Sequence, residues 1–289
     1  MQIFANGLIT GLTLALLAVS FSIVYLPTRV FYLALGGIYT ITPFLAWSCQ
    51  QCGAPWYVSS AIALIAGALI SMLCELFNHS RLERITAPAE AHLISSLGIY
   101  ILLSQSAALI WGNESKTLRS GIDAVQNFGD VILTNSQQAC FLLPVILLVG
   151  FYAFLRFTNI GLHLRALADN PVELALRGYS VNHSRLLCFI IAGLFCAASS
   201  LLTAYDIGFD AHGGLAAILL AIVAVIVGGR SNFAGPLVGA LFLGLTRSYV
   251  VWIWSSRWAE AVTFGFLALI LFLRPQGIIR TSMRLESAP

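Results

Sequence analysis

Few residues in this chain of 289 are of a kind that does chemistry, and none stands in a catalytic pattern. There is no H-E-x-x-H, no G-x-S-x-G and no metal-ligand spacing. No P-loop is present, so the chain has no ATP-hydrolysing site of its own. The five histidines are scattered among loops and the edges of apolar runs, none paired at i, i+4. Cys49 and Cys52 form a C-x-x-C with no second pair and no nearby histidine. Redox or metal chemistry, a loose disulfide and plain packing all stay open for it. Cys74, Cys140, Cys188 and Cys196 lie in or beside apolar runs and read as small hydrophobes. Neither an enzyme nor a cofactor is expected.

Charge is sparse enough to inspect residue by residue. Glu75 and Glu260 sit near the ends of apolar runs, where they can snorkel to the surface. Arg247 falls within a run. A charge there faces a bundle interior or water, so Arg247 marks either a solute path or a misplaced boundary. The lack of several buried acids argues against a proton-coupled transporter. The densest polar feature is an island, Arg165–Gly178, between two long apolar runs. Asn170 can cap, Pro171 fits the first helical position, and Glu173 completes a capping box. Arg177 falls in the last turn, with Gly178 just beyond it as a left-handed stop. The helix so defined is about two turns long, too short to hold in water alone. It is either an ordinary surface helix or one that leans on another protein.

The elements that position these residues follow from composition. Hydrophobic residues make up 59% of the chain, charged residues only 9%, and mean hydropathy is +0.89. Soluble domains carry about 25% charged residues. The chain therefore reads as an all-α polytopic membrane protein of about eight to ten spans, one transmembrane domain over residues 1–289. Nine candidate spans emerge: Ile3–Leu26, Val30–Cys49, Ala54–Leu76, His92–Trp111, Ala139–Phe157, Leu186–Ala204, Gly214–Val227, Gly235–Trp254 and Trp258–Leu273. Met1-Gln2-Ile3 has no basic n-region, so the first run is taken as a retained span. His79, Arg81, Glu83 and Arg84 are placed in a polar loop. Gly112–Gln138 is the longest polar segment.

With the island inside and the spans alternating, eleven basic residues fall inside: Arg29, Arg81, Arg84, Arg156, Arg165, Arg177, Arg185, Arg230, Arg274, Arg280 and Arg284. Lys116, Arg119 and Arg257 fall outside. This bias predicts an outer N-terminus and a cytoplasmic C-terminus. All six tryptophans lie near span ends, as interfacial belt residues should. No basic cluster is dense enough for a nucleic acid, and membrane lipid is the expected surrounding.

Glycines carry a further signal. Gly7 with Gly11, and Gly235 with Gly239, make G-x-x-x-G faces. Gly228 and Gly229 form a pair in a turn, and Gly36 with Gly37 another that, with Pro43 six residues on, suits an irregular helix. Close packing and a helix break along a path are both open for them.

The chain resembles the permease subunits of bacterial ABC importers for branched-chain amino acids, in the same broad family as urea and sugar importer permeases. The resemblance runs over nearly the whole length. Its most specific part is G-L-H-L-R-A-L-A-D-N-P-V-E-L-A-L-R-G-Y, Gly161–Tyr179, similar to the family's cytoplasmic loop. Gly7–Tyr25 looks like the family's first span, L-I-S-S-L-G-I at Leu93–Ile99 like its fourth, and Val227–Ala240 like its late glycine-rich turn. One departure stands out: where members often carry an N-F-A-H-G-like run, this chain has Tyr32-Leu33-Ala34-Leu35-Gly36.

The resemblance implies an ABC importer permease fold in the bacterial inner membrane, driven by separate ABC ATPase subunits. It implies a dimer, with itself or a homologous permease, fed by a periplasmic substrate-binding protein. Asp206, Asp210 and the Gly112–Gln138 loop are candidates for that contact. It makes segment 161–179 a coupling segment, in which Arg165, Asp169, Asn170, Pro171, Glu173, Arg177 and Gly178 meet the ATPase. Tyr32, Leu35, Gly36, Gly37, Gly228 and Gly229 are the candidates for the translocation pathway. A branched-chain or related amino acid is the expected substrate. Importers of urea, short amides or another small solute, and an ATP-independent channel or facilitator, are the alternatives.

Overall fold

The computed structural model describes residues 1–119, 125–128, 131–229, 232–273 and 277–278. Its central element is helix α1, Gln2–Thr28, 27 residues long. At 1.5 Å per residue that is about 40 Å, more than a bilayer's hydrocarbon core needs. Most of α1 is buried, because it is apolar on every side rather than on one stripe. Around it stand α2 (Ala34–Gln51), α3 (Trp56–Cys74), α4 (Ser80–Arg84), α5 (Ala89–Trp111), α6 (Asn135–Phe157), α7 (Asn159–Asp169), α8 (Pro171–Leu176), α9 (Val181–Asp206), α10 (Gly213–Gly228), α11 (Gly235–Ile253) and α12 (Trp258–Leu273). Each of the nine expected spans corresponds to one of these helices. Among the described residues, six helices are long and apolar enough to cross a membrane, and α10 and α12, at 16 residues each, are shorter apolar helices.

Glycine sets the closest contacts. Gly7 and Gly11 of α1 lie against Leu245 and Leu241 of α11, and a Cβ on Gly244 would stand 2.4 Å from the Gly11 Cα. A Cβ on Gly228 would meet the Gly235 carbonyl at 1.8 Å, and one on Gly239 the Ala224 carbonyl at 2.0 Å. Both G-x-x-x-G faces are therefore helix-packing faces.

Small hydroxyls bind the helices where no hydrophobic effect separates protein from lipid. Ser20 donates to the Ala192 carbonyl at 2.7 Å, Ser71 to Phe189 at 2.7 Å, Ser199 to Thr13 at 2.8 Å and Ser104 to Ala211 at 2.6 Å. Pro43 does not break α2, which runs unbroken through it. Proline lacks the N–H that would bond the carbonyl four residues back, at Tyr39. The Ser200 hydroxyl of α9 takes that carbonyl instead.

Three expectations change. The polar loop after the third span is helix: α3 continues through a π turn, Glu75–His79, into α4. The Gly112–Gln138 segment is not only loop. Val125–Phe128 (β1) and Val131–Thr134 (β2) pair antiparallel, with Val125 opposite Thr134. Thr134 then starts α6 with a capping box to Gln137, four residues before the expected Ala139. Beyond this, Lys116 and Phe209 exchange backbone bonds at 2.9 and 2.8 Å, tying the segment after α5 to the one after α9. Gln2 bonds both backbone groups of Ile132, so the start of α1 and the hairpin share one end of the bundle. Arg230, Arg274, Arg280 and Arg284 lie outside the described residues.

Candidate functional site

The island forms two helices, not one. Thr158 caps α7 by accepting from the Gly161 N–H at 3.0 Å. Leu164 and Leu167 bury one face of α7 against the bundle, and Arg165 is exposed on the other. The chain leaves helical geometry at Asn170 (φ −154°, ψ 102°), as the proline at 171 requires of the residue before it. Asn170 Oδ1 then accepts from Val172 N at 3.0 Å and Glu173 N at 3.2 Å. The expected capping box is not completed. Glu173 instead accepts from Arg177 at 2.9 Å, the i, i+4 pairing its spacing favours. Gly178 takes the left-handed turn at φ 84°. Its N–H and that of Tyr179 close onto the Ala175 and Leu174 carbonyls, completing a Schellman stop.

Held by its own ends, α8 hardly touches the bundle. Leu174 is its one buried residue, while Val172 is 68% and Leu176 83% exposed. The Glu173–Arg177 pair and these two aliphatic side chains form an outward-facing mixed patch. Tyr179 folds back onto His163, ring centroids 4.2 Å apart, and fixes α8 against α7.

Seven residues after Gly178 the chain reaches a buried ionic network that the sequence reading missed. Arg185, read as a cytoplasmic loop charge, is 6% exposed inside α9. Its Nε donates to Glu75 at 3.1 Å and its Nη1 to Glu83 at 2.7 Å. Glu75 does not snorkel; it is 4% exposed in the π turn. The π turn also carries His79, whose Nδ1 lies 3.1 Å from His92 Nδ1 of α5. The two rings stack at 5.4 Å, and Tyr32 and Phe189 close over His79. The histidines thus do pair, across elements rather than along one helix. Two serines of the L-I-S-S-L-G-I stretch belong here too. Ser95 donates to Asn78 at 2.6 Å, and Ser96 accepts from Ala34 N at 2.9 Å, starting α2. The signal available in the sequence was Glu75 at the end of one apolar run and Arg185 directly before the start of another. Pairing them required the fold.

The six expected pathway residues fall in two seams. Tyr32 and Leu35 are fully buried, Gly36 meets Gly214 at the start of α10, and Gly37 meets Leu103. Gly228 and Gly229 meet Gly235 at the other end of α10, about 21 Å along that helix. Asp210 caps α10, accepting from His212 N at 2.8 Å and Gly213 N at 2.6 Å. Cys49 and Cys52 are free thiols, and the described residues contain no group of three or more metal-ligating side chains.

The described residues form a bundle of glycine-tight apolar helices with an exposed, capped helix on one end, the architecture of a polytopic membrane protein. The comparisons give it a family. The profile described as branched-chain amino acid transport system / permease component matches residues 3–272, and the chain belongs to that family. It is 26% identical to BraD of Pseudomonas aeruginosa, described as a high-affinity branched-chain amino acid transport system permease protein, over 96% of this chain and 95% of BraD. It is 23% identical to LivH of Escherichia coli, similarly described, over 96% and 95% of the two chains. An autoinducer 2 import system permease, LsrC of an Enterobacter species, is 26% identical over 73% of this chain and 62% of its own length. Among solved structures, one described as PsaBC from Streptococcus pneumoniae in complex with Fab superposes with a TM-score of 0.54 at 12% identity, covering 96% and 93% of the two chains. That likeness speaks for the fold alone. The chain is thus a multi-pass membrane permease with an importer-type helical fold.

Proposed function

We propose that this chain is the membrane-spanning permease subunit of an ATP-driven importer that carries branched-chain amino acids across the bacterial plasma membrane. The observation that carries the reading is α8. It is fully capped by its own residues, stands off the bundle, and turns a mixed apolar and charged face outward. Such a helix is built to be gripped by a protein that the chain itself does not contain. An ABC ATPase subunit is that partner, engaging Arg165, Asp169, Asn170, Pro171, Glu173, Arg177 and Gly178. The bundle end with α8 is then cytoplasmic, and the end with Gln2, the hairpin and the tryptophans faces the periplasm. There a soluble binding protein delivers substrate.

Two permease chains, alike or homologous, complete the pathway. Tyr32, Leu35, Gly36, Gly37, Gly228 and Gly229 border it as close helix contacts, meeting solute only when neighbouring helices separate. Arg185 lies near the start of α9, just after the coupling segment, so a push on α8 reaches the α3–α4 rod through one guanidinium.

The test is uptake of labelled leucine and valine into proteoliposomes holding the co-purified complex, with ATP inside or absent. Uptake that needs ATP is the expected result. Uptake by this chain alone, indifferent to ATP, would replace the importer reading with a facilitator.

A further inference from the structure

The rod built from α3, the π turn and α4 sorts its residues by face. Ser59, Ala63, Gly67 and Ser71 are buried, with Gly67 set against Ala197 of α9 and Thr42 of α2. Ile62, Ile65, Leu69, Leu73, Leu76 and Phe77 are exposed. Their spacing of three and four puts them on one stripe down the opposite side. The stripe continues into α4, where it ends on Arg81 and Arg84, both exposed. No carboxylate among the described residues forms an ion pair with either guanidinium. Glu83, which stands between them in sequence, is taken by Arg185 at 2.7 Å. Arg81 folds back along the rod, its guanidinium carbon 5.9 Å from the centre of the Phe77 ring.

Depth identifies what meets these charges. Trp56 begins α3 and is 68% exposed, as an interfacial aromatic is. With Trp56 at headgroup level on one side, the opposite headgroup layer ends about 40–45 Å away. At 1.5 Å per residue Arg81 and Arg84 stand about 38 and 42 Å along the rod from Trp56, within that layer. A cation at this depth meets lipid phosphates. The corner after α4 is also held at a cost. Thr86 is left-handed, φ 50°, in the place that Gly178 fills after α8. Its N–H bonds the Glu83 carbonyl at 2.9 Å, and that of Ala87 bonds Leu82 at 3.0 Å. A β-branched residue is strained there, and such strain gathers at ligand clamps and switch regions.

We propose that this stripe is a binding site for an anionic phospholipid, with the phosphate at Arg81 and Arg84 and an acyl chain along Leu73, Leu76 and Phe77. Two guanidiniums with no acidic partner make a cationic patch that favours a headgroup of net negative charge over a zwitterionic one. The apolar stripe favours a lipid over a soluble phosphate, which gains nothing from it. The site is separate from α8 and stands whether or not the chain imports an amino acid. Glu83 ties the same short helix to Arg185, so the lipid holds the rod to which the buried ionic network is anchored.

The experiment is native mass spectrometry of the purified chain in mild detergent, titrated with palmitoyl-oleoyl phosphatidylglycerol or with phosphatidylcholine of the same chains. At matched concentration the phosphatidylglycerol adduct is expected to exceed the phosphatidylcholine adduct at least about tenfold. Arg81→Gln and Arg84→Gln should each weaken phosphatidylglycerol about fivefold, and both together about thirtyfold, with phosphatidylcholine unchanged. Arg257→Gln removes the same charge from an exposed position at the other end of the bundle and should change nothing. Dihexanoyl phosphatidylglycerol, with the same head and short chains, should compete at least about tenfold more weakly. Equal competition by it would make this a site for a free phosphate anion and overturn the lipid. Equal retention of the two long-chain lipids would overturn the charge selection, as would an Arg257→Gln loss matching that of the double variant. A photo-crosslinker placed at Leu69 in native membranes gives an answer that needs no arginine variant. A phospholipid adduct is expected, whereas a cross-link to a second permease chain would make the stripe a subunit contact and overturn the site.

Discussion

Arg185→Met should be far more damaging than its position just after a surface segment suggests, and a second substitution should repair it. Arg185 and Glu75 have side chains 7% and 5% exposed, joined at 3.1 Å. Removing the guanidinium strands a buried carboxylate whose second oxygen, Glu75 Oε2, already lacks a partner among the described residues. Breaking a buried pair from one side costs about 3–5 kcal/mol. Replacing both partners with apolar side chains of similar volume is neutral or stabilising, by up to about 4 kcal/mol. Arg185→Met with Glu75→Met should therefore recover most of the loss, an interaction energy of at least about 3 kcal/mol. Glu83 also meets Arg185, at 2.7 Å, but is 55% exposed. Its screened half of the network is worth about 1 kcal/mol or less, so Glu83→Ala should be mild. The assay is reversible unfolding of the purified chain in mixed micelles titrated with SDS, run as a double-mutant cycle. Additive effects of the two single substitutions, within about 0.5 kcal/mol, would refute the reasoning.

Further expectations concern packing and coupling. Gly239→Ala places a Cβ 2.0 Å from the Ala224 carbonyl and should lose about 1–3 kcal/mol in the same unfolding assay, whereas Gly150→Ala and Gly98→Ala, with nothing within 4 Å, should be neutral or slightly stabilising. Ser200→Ala leaves the Tyr39 carbonyl with only a long 3.5 Å contact from the Thr42 hydroxyl, at a site where Pro43 supplies no N–H; a cost of about 1–3 kcal/mol is expected, partly recovered by adding Pro43→Ala. Glu173→Arg exchanges a surface pair worth about 1 kcal/mol or less, so the chain should insert and fold normally, yet ATP-dependent uptake should collapse; unchanged uptake would count against docking through α8. Asn170→Ala should weaken uptake in the same assay by loosening α8, the lost cap costing about 1 kcal/mol locally.

Much of this protein was decided by local sequence. A mean hydropathy of +0.89 with 9% charge admits only a membrane bundle, and uninterrupted apolar runs mark the helices to within a few residues. The start and the stop of α8 are local too, because Asn170, Pro171 and Gly178 act on backbone groups within four residues of themselves. The start of α7 was less visible, since Thr158 and Gly161 signal a helix only when the tight α6–α7 corner is in place: a Cβ on Gly161 would stand 2.4 Å from the Phe154 carbonyl.

What only the tertiary structure decided is which polar groups meet. Glu75 and Arg185 are 110 positions apart, and nothing in either run names the other. His79 and His92 pair because a π turn re-aims one ring toward the next helix, a rotation that no i, i+4 count detects. Ser200 finds the carbonyl that Pro43 leaves free only once α9 lies against α2. Asp206 and Arg247 line one cavity because α9 and α11 both pack against α1. In an apolar chain the hydrophobic pattern says that a residue is in the membrane, but every side of a buried helix looks alike to it. The few polar groups are resolved by hydrogen bonding, which is short-ranged and directional, so their partners are fixed only when the backbones are in place.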